Sequence, residues 1–279
     1  MRATLTRACT VIPLASLTFV LTACSTAPKP PTTLAEVGEL RPGSGYALGY
    51  LERKSLPNSL ALLPAPPKDD SAIAAADLEA YRTTRSLRGT PRWQLAAKDA
   101  NLKFPAAADA FSCAMDMPIN AESTPHLTML LRRTLLDAGL STYAAKDHYN
   151  RLRPFVAINE TMCTPAEDAQ LRKDGSYPSG HAALGWAWAL VLAELAPERT
   201  DGLIARGLAF GQSRVVCGVH WQSDVDAGRV MAAATVAKLH SNETFRAQMA
   251  AAQEEIAAAR ASGRKSALDC KAEAAALGL

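Results

Sequence analysis

Three short clusters in this chain carry side chains suited to a phosphate ester. They are Lys146 with Arg153-Pro154, then Pro178-Ser179-Gly180-His181, and then Ser213-Arg214 with His220 and Asp224. Together they supply three cations, a hydroxyl, a glycine amide and two histidines, one with a carboxylate four residues on. That inventory suits attack by histidine on phosphorus, with the charge on the phosphate oxygens neutralised by side chains and no metal required.

At a spacing of four, His220 and Asp224 share one face of a helical turn. A carboxylate bonded to one imidazole nitrogen fixes the tautomer, leaves the other nitrogen free to attack and stabilises the cation that forms. Ser179 and Gly180 stand directly before an apolar run, so they should open a helix whose first amides and positive dipole end favour an anion. His181 in that position can give a proton to a leaving alkoxide. Arg153 offers a planar fork matching phosphate oxygens and Lys146 a mobile point charge. Arg151 is equally available, but only Arg153 precedes a proline, which pushes it out of helical geometry and fixes its aim. Each cluster alone has a plainer reading: a surface i,i+4 pair, a helix start with an incidental histidine, a solvated basic face.

The elements that must bring these clusters together are helices. Helical patterns run over about 71–87, 91–99, 105–115, 123–138, 141–150, 180–196, 200–216, 222–241 and 243–260, and no stretch of alternating β-branched residues stands out. The fold class expected is all-α, a single compact multi-helix domain. Asp70 and Ser123 are expected N-caps, Gly139 a helix stop, and Pro197 a stop just beyond another helix. Residues 182–195 are nearly all apolar but too short to span a bilayer and include Glu194, so they predict a buried central helix.

A length of 279 residues with 48% hydrophobic side chains allows one domain with a sizeable core plus extensions. Arg2 and Arg7 followed by the apolar stretch 8–23 predict a signal peptide over 1–23. Leu21-Thr22-Ala23-Cys24 resembles a bacterial lipoprotein box, which makes Cys24 the lipid anchor and the membrane a partner through it. Ser25 after the anchor is compatible with an outer-membrane location facing the periplasm. Residues 24–58 carry the anchor and a Pro/Thr-rich stretch expected to be a flexible spacer, residues 59–260 the catalytic domain, and residues 261–279 an Ala/Lys-rich tail, solvated or frayed. With Arg2 and Arg7 set aside, 28 basic side chains face 27 acidic ones, and no basic run has interleaved aromatics, so no nucleic-acid partner is expected. A homo-oligomer is compatible with the sequence. Four cysteines remain in an exported chain, which predicts disulfides. Of three connectivities the one expected is Cys163 with Cys217, both in short loops beside the clusters, and Cys113 with Cys270, pinning the tail.

The ordered pattern K-x6-R-P, P-S-G-H, S-R-x5-H-x3-D is similar to that of the type 2 phosphatidic acid phosphatase superfamily. Within it, Gly175-Ser176-Tyr177-Pro178-Ser179-Gly180-His181 resembles the signature of class A bacterial non-specific acid phosphatases. Residues 145–149, 153–155, 211–215 and 220–226 extend the resemblance, which covers roughly residues 59–260. It implies an all-α, metal-independent acid phosphatase that needs no cofactor and hydrolyses phosphate monoesters of broad specificity through a phosphohistidine. By the same resemblance His220 is the nucleophile, Asp224 orients it and His181 serves the leaving group. Lys146, Arg153, Arg214, Ser179 and the Gly180 amide then hold the phosphate. The superfamily also contains lipid phosphate phosphatases and vanadium-dependent haloperoxidases on the same site, and a non-enzymatic phosphate-binding lipoprotein is the third alternative. Two positions depart from the class A pattern: Ala182 stands where threonine is usual, removing a hydroxyl expected near the phosphate, and Lys98 where glutamate is common, at a position expected near the substrate mouth.

Overall fold

The apolar run at 182–195 becomes the axis of the molecule. The computed structural model describes residues 29–278, so the signal peptide expected at 1–23 and the anchor Cys24 lie outside the described residues. Among the described residues, nine helices exceed one turn: α1 (Ala72–Thr84), α2 (Pro91–Asp99), α3 (Pro125–Ser141), α4 (Tyr143–Tyr149), α5 (Gly180–Leu195), α6 (Thr200–Val216), α7 (Gln222–Leu239), α8 (Glu243–Ala261) and α9 (Cys270–Leu277). No strand is present among the described residues beyond an isolated antiparallel bridge between Glu39 and Ala47. None of their helices is long and apolar enough to cross a membrane.

A helix that is apolar all round has no face to offer water and must be enclosed. Helices α6, α7 and α3 enclose α5. Trp188 at its centre is fully buried, meets Phe104, Phe111 and Phe210 edge-on, and donates its indole N–H to the Leu131 carbonyl at 2.9 Å. Close approach along this bundle depends on glycine. A Cβ at Gly185 would sit 2.3 Å from the Phe210 ring, at Gly207 2.4 Å from the Ala189 methyl, and at Gly228 2.5 Å from the Ser179 carbonyl oxygen.

Several local expectations need correction. Ser71, not Asp70, caps α1 through its hydroxyl. Thr124 rather than Ser123 precedes α3, and its hydroxyl turns back to Asn120. The first amides of α3, on His126 and Leu127, are taken instead by the Glu255 carboxylate from α8, a cap invisible to local spacing. Helix α3 runs through Gly139 to Ser141. The helix expected at 105–115 is two single turns, Ala106–Asp109 and Ser112–Met115, broken where Phe111 turns into the core against Trp188.

The stretch expected to be a flexible spacer is in part built into the domain. Thr33 caps a turn at Leu34–Val37, and the Glu39 carboxylate takes the amides of Gly43 and Gly45. Ala47 and Tyr50 are buried. Beyond them the Tyr50 and Leu51 amides donate to the Asp137 carboxylate on α3. Glycine is required at 49 because a Cβ there would lie 2.0 Å from Asp137 Oδ1. The tail is likewise not frayed: α9 is tied to the domain by the Cys113–Cys270 disulfide, and Cys163–Cys217 closes a loop beside His220. Both pairings are those expected from the sequence.

Candidate active site

The three clusters converge where α5 begins, α6 ends and α7 begins. Ser179 caps α5, its Oγ accepting the Ala182 amide at 3.2 Å, and Gly180 is the first helical residue. The Ser179 amide donates to the Asp224 carbonyl at 2.9 Å, which ties the start of α5 to the first turn of α7. Asn150 ends α4 in the left-handed region, where asparagine is tolerated. That turn launches the segment carrying Arg151 and Arg153. His220 follows Gly218, at φ +81°, in the tight link between α6 and α7.

His220 is 2% exposed and held at both ring nitrogens. Arg153 Nη1 lies 3.0 Å from Nε2, and Asp224 Oδ2 lies 3.3 Å from Nδ1. A guanidinium can only donate, so Nε2 is the acceptor and the ring proton sits on Nδ1, facing the carboxylate. The nitrogen left with a lone pair is the one facing the cations. Burial first, then Arg153, Lys146 and Arg214, hold the ring well below the usual imidazole range. That setting favours the neutral ring, the form able to attack.

Lys146 on α4 is 3% exposed and donates to the Gly175 carbonyl at 2.7 Å. Burial pushes its pKa down to about 8, which still leaves it charged at and below neutrality. Arg153 donates to the Val219 carbonyl and to the Asp174 carboxylate, both at 3.0 Å. Arg214 is 1% exposed, its Nε and Nη1 have no hydrogen-bond partner among the described residues, and burial pushes it down to about 10. His181 lies 3.1 Å through Nε2 from the Ala100 carbonyl, which can only accept, so Nε2–H donates and Nδ1 is free to gain a proton. Burial and then Arg214 hold His181 well below its ordinary value.

A cavity of about 440 Å³ opens over Lys146, Arg153, Gly180, His181, Arg214 and His220. Its remaining wall sets Leu102, Leu135, Leu140 and Leu184 beside Arg41, Lys103, Glu167 and Asp174, so cations outnumber carboxylates around it. Such a site is short of negative charge. A phosphate group would supply oxygens to the free donors of Arg214, to the Gly180 amide and to the α5 dipole, beside an unprotonated imidazole.

The structure brings together all eight residues expected at the phosphate site: His220, His181, Asp224, Lys146, Arg153, Ser179, Gly180 and Arg214. Ser179 does so as the helix cap rather than as part of the cavity surface. Two expectations fail. Ala182 is fully buried against Gly211 and Gly228, away from the cavity, so its missing hydroxyl leaves no gap there. Lys98 borders a separate cavity of about 450 Å³ between α2 and α9, not the substrate mouth. Sequence reasoning gave no role to Asp174, which directly precedes the Gly175 signature, nor to Arg151. It also missed Leu40, Arg41 and Tyr46 of the N-terminal strap, which line the mouth.

Comparison with known proteins accords with this geometry. Residues 126–246 match the PAP2 superfamily model. The non-specific acid phosphatase of Providencia stuartii is 47% identical over 211 residues, covering 75% of this chain and 85% of that protein. The non-specific acid phosphatase of Salmonella typhimurium is 44% identical over 200 residues, 71% and 80% of the two chains. An acid phosphatase of Zymomonas mobilis is 39% identical over 233 residues, 81% and 88% of the two. Among solved structures, a bacterial vanadium-dependent iodoperoxidase aligns with a TM-score of 0.49 and 17% identity, covering 78% of this chain and 63% of its own.

Proposed function

The chain belongs to the PAP2 superfamily and within it to the non-specific acid phosphatases, and from that premise we propose that it hydrolyses phosphate monoesters by way of a phosphohistidine on His220. In this reading His220 Nε2 attacks phosphorus, forming the P–N bond as the P–O bond to the leaving group breaks. The leaving oxygen takes a proton from His181, and Asp224 stabilises the imidazolium through Nδ1–H. Water then attacks the phosphoenzyme and gives its proton to His181. The P–N bond breaks, phosphate leaves and the ring is restored. Lys146, Arg153, Arg214 and the Gly180 amide neutralise the charge that builds on the oxygens.

The observation that carries this reading is the state of His220. It is neutral, with Nδ1–H on Asp224 and its lone pair turned toward three cations. It also accounts for work in acid. Nucleophile and proton donor both lie below the usual imidazole range, and incoming phosphate offsets the Arg214 charge that disfavours protonated His181. The donor gains its proton as pH falls, so activity is expected to rise toward acid and fade above neutrality.

Hydrolysis of a chromogenic aryl phosphate between pH 4 and 9, with and without EDTA, tests this. The expected result is an acidic maximum indifferent to EDTA. His220→Ala should lose about 10⁴-fold or more in kcat with an unchanged circular-dichroism spectrum. Near wild-type turnover in that variant would remove His220 from the reaction.

The chain is further proposed to be lipid-anchored at Cys24 outside the cytoplasm, on the outer membrane facing the periplasm. Its two disulfides support an oxidising compartment. Labelling with radioactive palmitate should mark the wild type and not Cys24→Ser, and a labelled Cys24→Ser protein would refute the anchor.

A further inference from the structure

Asp224 has a second partner, on the side away from His220. Arg151, in the loop after α4, donates through Nη1 to Asp224 Oδ1 at 2.7 Å and through Nη2 to Asp77 Oδ2 at 2.9 Å. Ser223 completes a closed set. Its amide donates to Asp77 Oδ1 at 2.8 Å, its hydroxyl donates to Asp77 Oδ2 at 2.6 Å, and the same hydroxyl accepts from Arg151 Nη1 at 2.8 Å. The guanidinium lies over the Trp221 ring, and its side chain is only 14% exposed. Unlike Lys146, Arg153 and Arg214, Arg151 does not border the cavity, so it is not there to bind phosphate.

We propose that Arg151 is a positioning residue for the reaction: it fixes the Asp224 carboxylate as an acceptor and so keeps the His220 proton on Nδ1, with Nε2 open for attack. The proposal rests on the reading of His220 as nucleophile.

Asp224 has no exposed surface. Oδ2 accepts both the Trp221 amide at 2.9 Å and His220 Nδ1–H, and Oδ1 is left to Arg151. An aspartate in that position is under pressure to take up a proton. Burial leaves its carboxyl above the ordinary carboxylate range, and Arg151 is first among the groups that limit the rise, followed by the Trp221 amide and Lys146. The other charged or titratable groups facing it are His220 and Arg153 on the cavity side, Tyr177 before α5, and Asp77 on α1, which Arg151 neutralises.

A protonated Asp224 could donate to Nδ1 instead of accepting from it. The imidazole proton would then sit on Nε2, where phosphorus must be attacked, and Arg153 Nη1 would have to give up its contact with that nitrogen. In a serine-protease triad the same inversion, made by replacing the aspartate with asparagine, costs about 10⁴-fold in kcat. An enzyme that works in acid is the one most exposed to this failure. A fixed cation behind the aspartate opposes it without adding to the charge on the substrate side.

The test compares Arg151→Gln and Arg151→Lys with the wild type, reading kcat and KM across pH 4 to 8 together with the ¹⁵N spectrum of the labelled enzyme. Its five histidines keep the ring nitrogens assignable. Arg151→Gln is expected to lose at least about 10²-fold in kcat with KM within a few-fold, because it touches no substrate. The acid limb of its kcat profile should move up by a unit or more, and His220 should switch from Nδ1–H to Nε2–H. Arg151→Lys should restore the limb and the tautomer. A folded Arg151→Gln with an unmoved acid limb and the Nδ1–H tautomer overturns the proposal. If that variant does not fold, the wild type and Arg151→Lys decide. An Nε2–H tautomer at pH 5 in the wild type, or a limb in Arg151→Lys that stays a unit high, is equally fatal. Acid-quench trapping with labelled substrate separates the two levels. Without phosphate on His220 the underlying mechanism is wrong, whereas with it only the role of Arg151 is in question.

Discussion

Arg206 and Arg214 lie eight residues apart on α6, and both are almost wholly buried. Arg206 is answered by two carboxylates. The Asp99 carboxylate takes both terminal nitrogens, and Glu273 on α9 lies 3.3 Å from Nε, an ion pair at an angle too poor for a hydrogen bond. Burial works against its charge, but Asp99 and Glu273 more than offset that and hold it above the ordinary arginine value. Among the described residues Arg214 has no carboxylate in hydrogen-bond reach, and it is pushed down instead. The same residue, on the same helix, is scaffold in one place and an unfilled demand for an anion two turns later. Buried charge as such does not mark a site; buried charge without a partner does.

Four experiments press on that contrast, beginning with the largest effect. Arg206→Met strands Asp99 in the interior and should cost about 3–5 kcal/mol in urea unfolding. A loss below 1 kcal/mol would mean the pair is not structural. Arg214→Met removes a charge the fold does not satisfy. It should lower kcat/KM about 10²- to 10³-fold while leaving unfolding unchanged or shifted to higher urea. Should Arg214→Met unfold as readily as Arg206→Met, the two arginines would not differ in kind. Inorganic phosphate, if it fills the demand, should stabilise the wild type by about 2.7 kcal/mol at a hundredfold excess over its Kd. The same phosphate should stabilise Arg206→Met equally and Arg214→Met far less.

Asp137 is intermediate, with two backbone amides on its carboxylate and Arg133 nearby. Burial pushes it up to about 6. The folded state therefore keeps this proton between pH 6 and the ordinary carboxyl range, where the unfolded chain has released it. The stability it lends is complete below about pH 4 and lost as pH rises through 6. The span is about 3 kcal/mol. Asp137→Asn should flatten the slope of stability against pH in that window, and an unchanged slope would assign it elsewhere.

What was legible in the sequence followed from local order. The all-α class, the apolar helix at 180–195, the His220–Asp224 spacing and the helix start at Ser179-Gly180 each depend on residues within a turn or two. Both disulfides were reached because only four cysteines remained and two flanked the clusters. What stayed hidden depends on chain-distant pairs. Asp77 meets Arg151 across 74 positions, Asp99 meets Arg206 across 107, and Glu255 caps α3 from 129 away. No periodicity encodes those meetings. The N-terminal strap was misread for a different reason: its Pro, Thr and Gly content resembles a linker, while its anchoring lies in backbone amides given to Asp137, which composition does not reveal.

The glycines that let α5, α6 and α7 approach carry a consequence for anyone seeking a hardier enzyme. Replacing helix glycines with alanine is a standard route to heat resistance, worth about 0.5–1 kcal/mol per position. Along this seam the route is closed. A methyl at 228 would press on the Ser179 carbonyl, at 185 on the Phe210 ring and at 207 on the Ala189 methyl, and would force apart the helices that position the two histidines. At Gly202, in the first turn of α6, nothing stands within 4 Å of the added carbon, and there the same change is free to help.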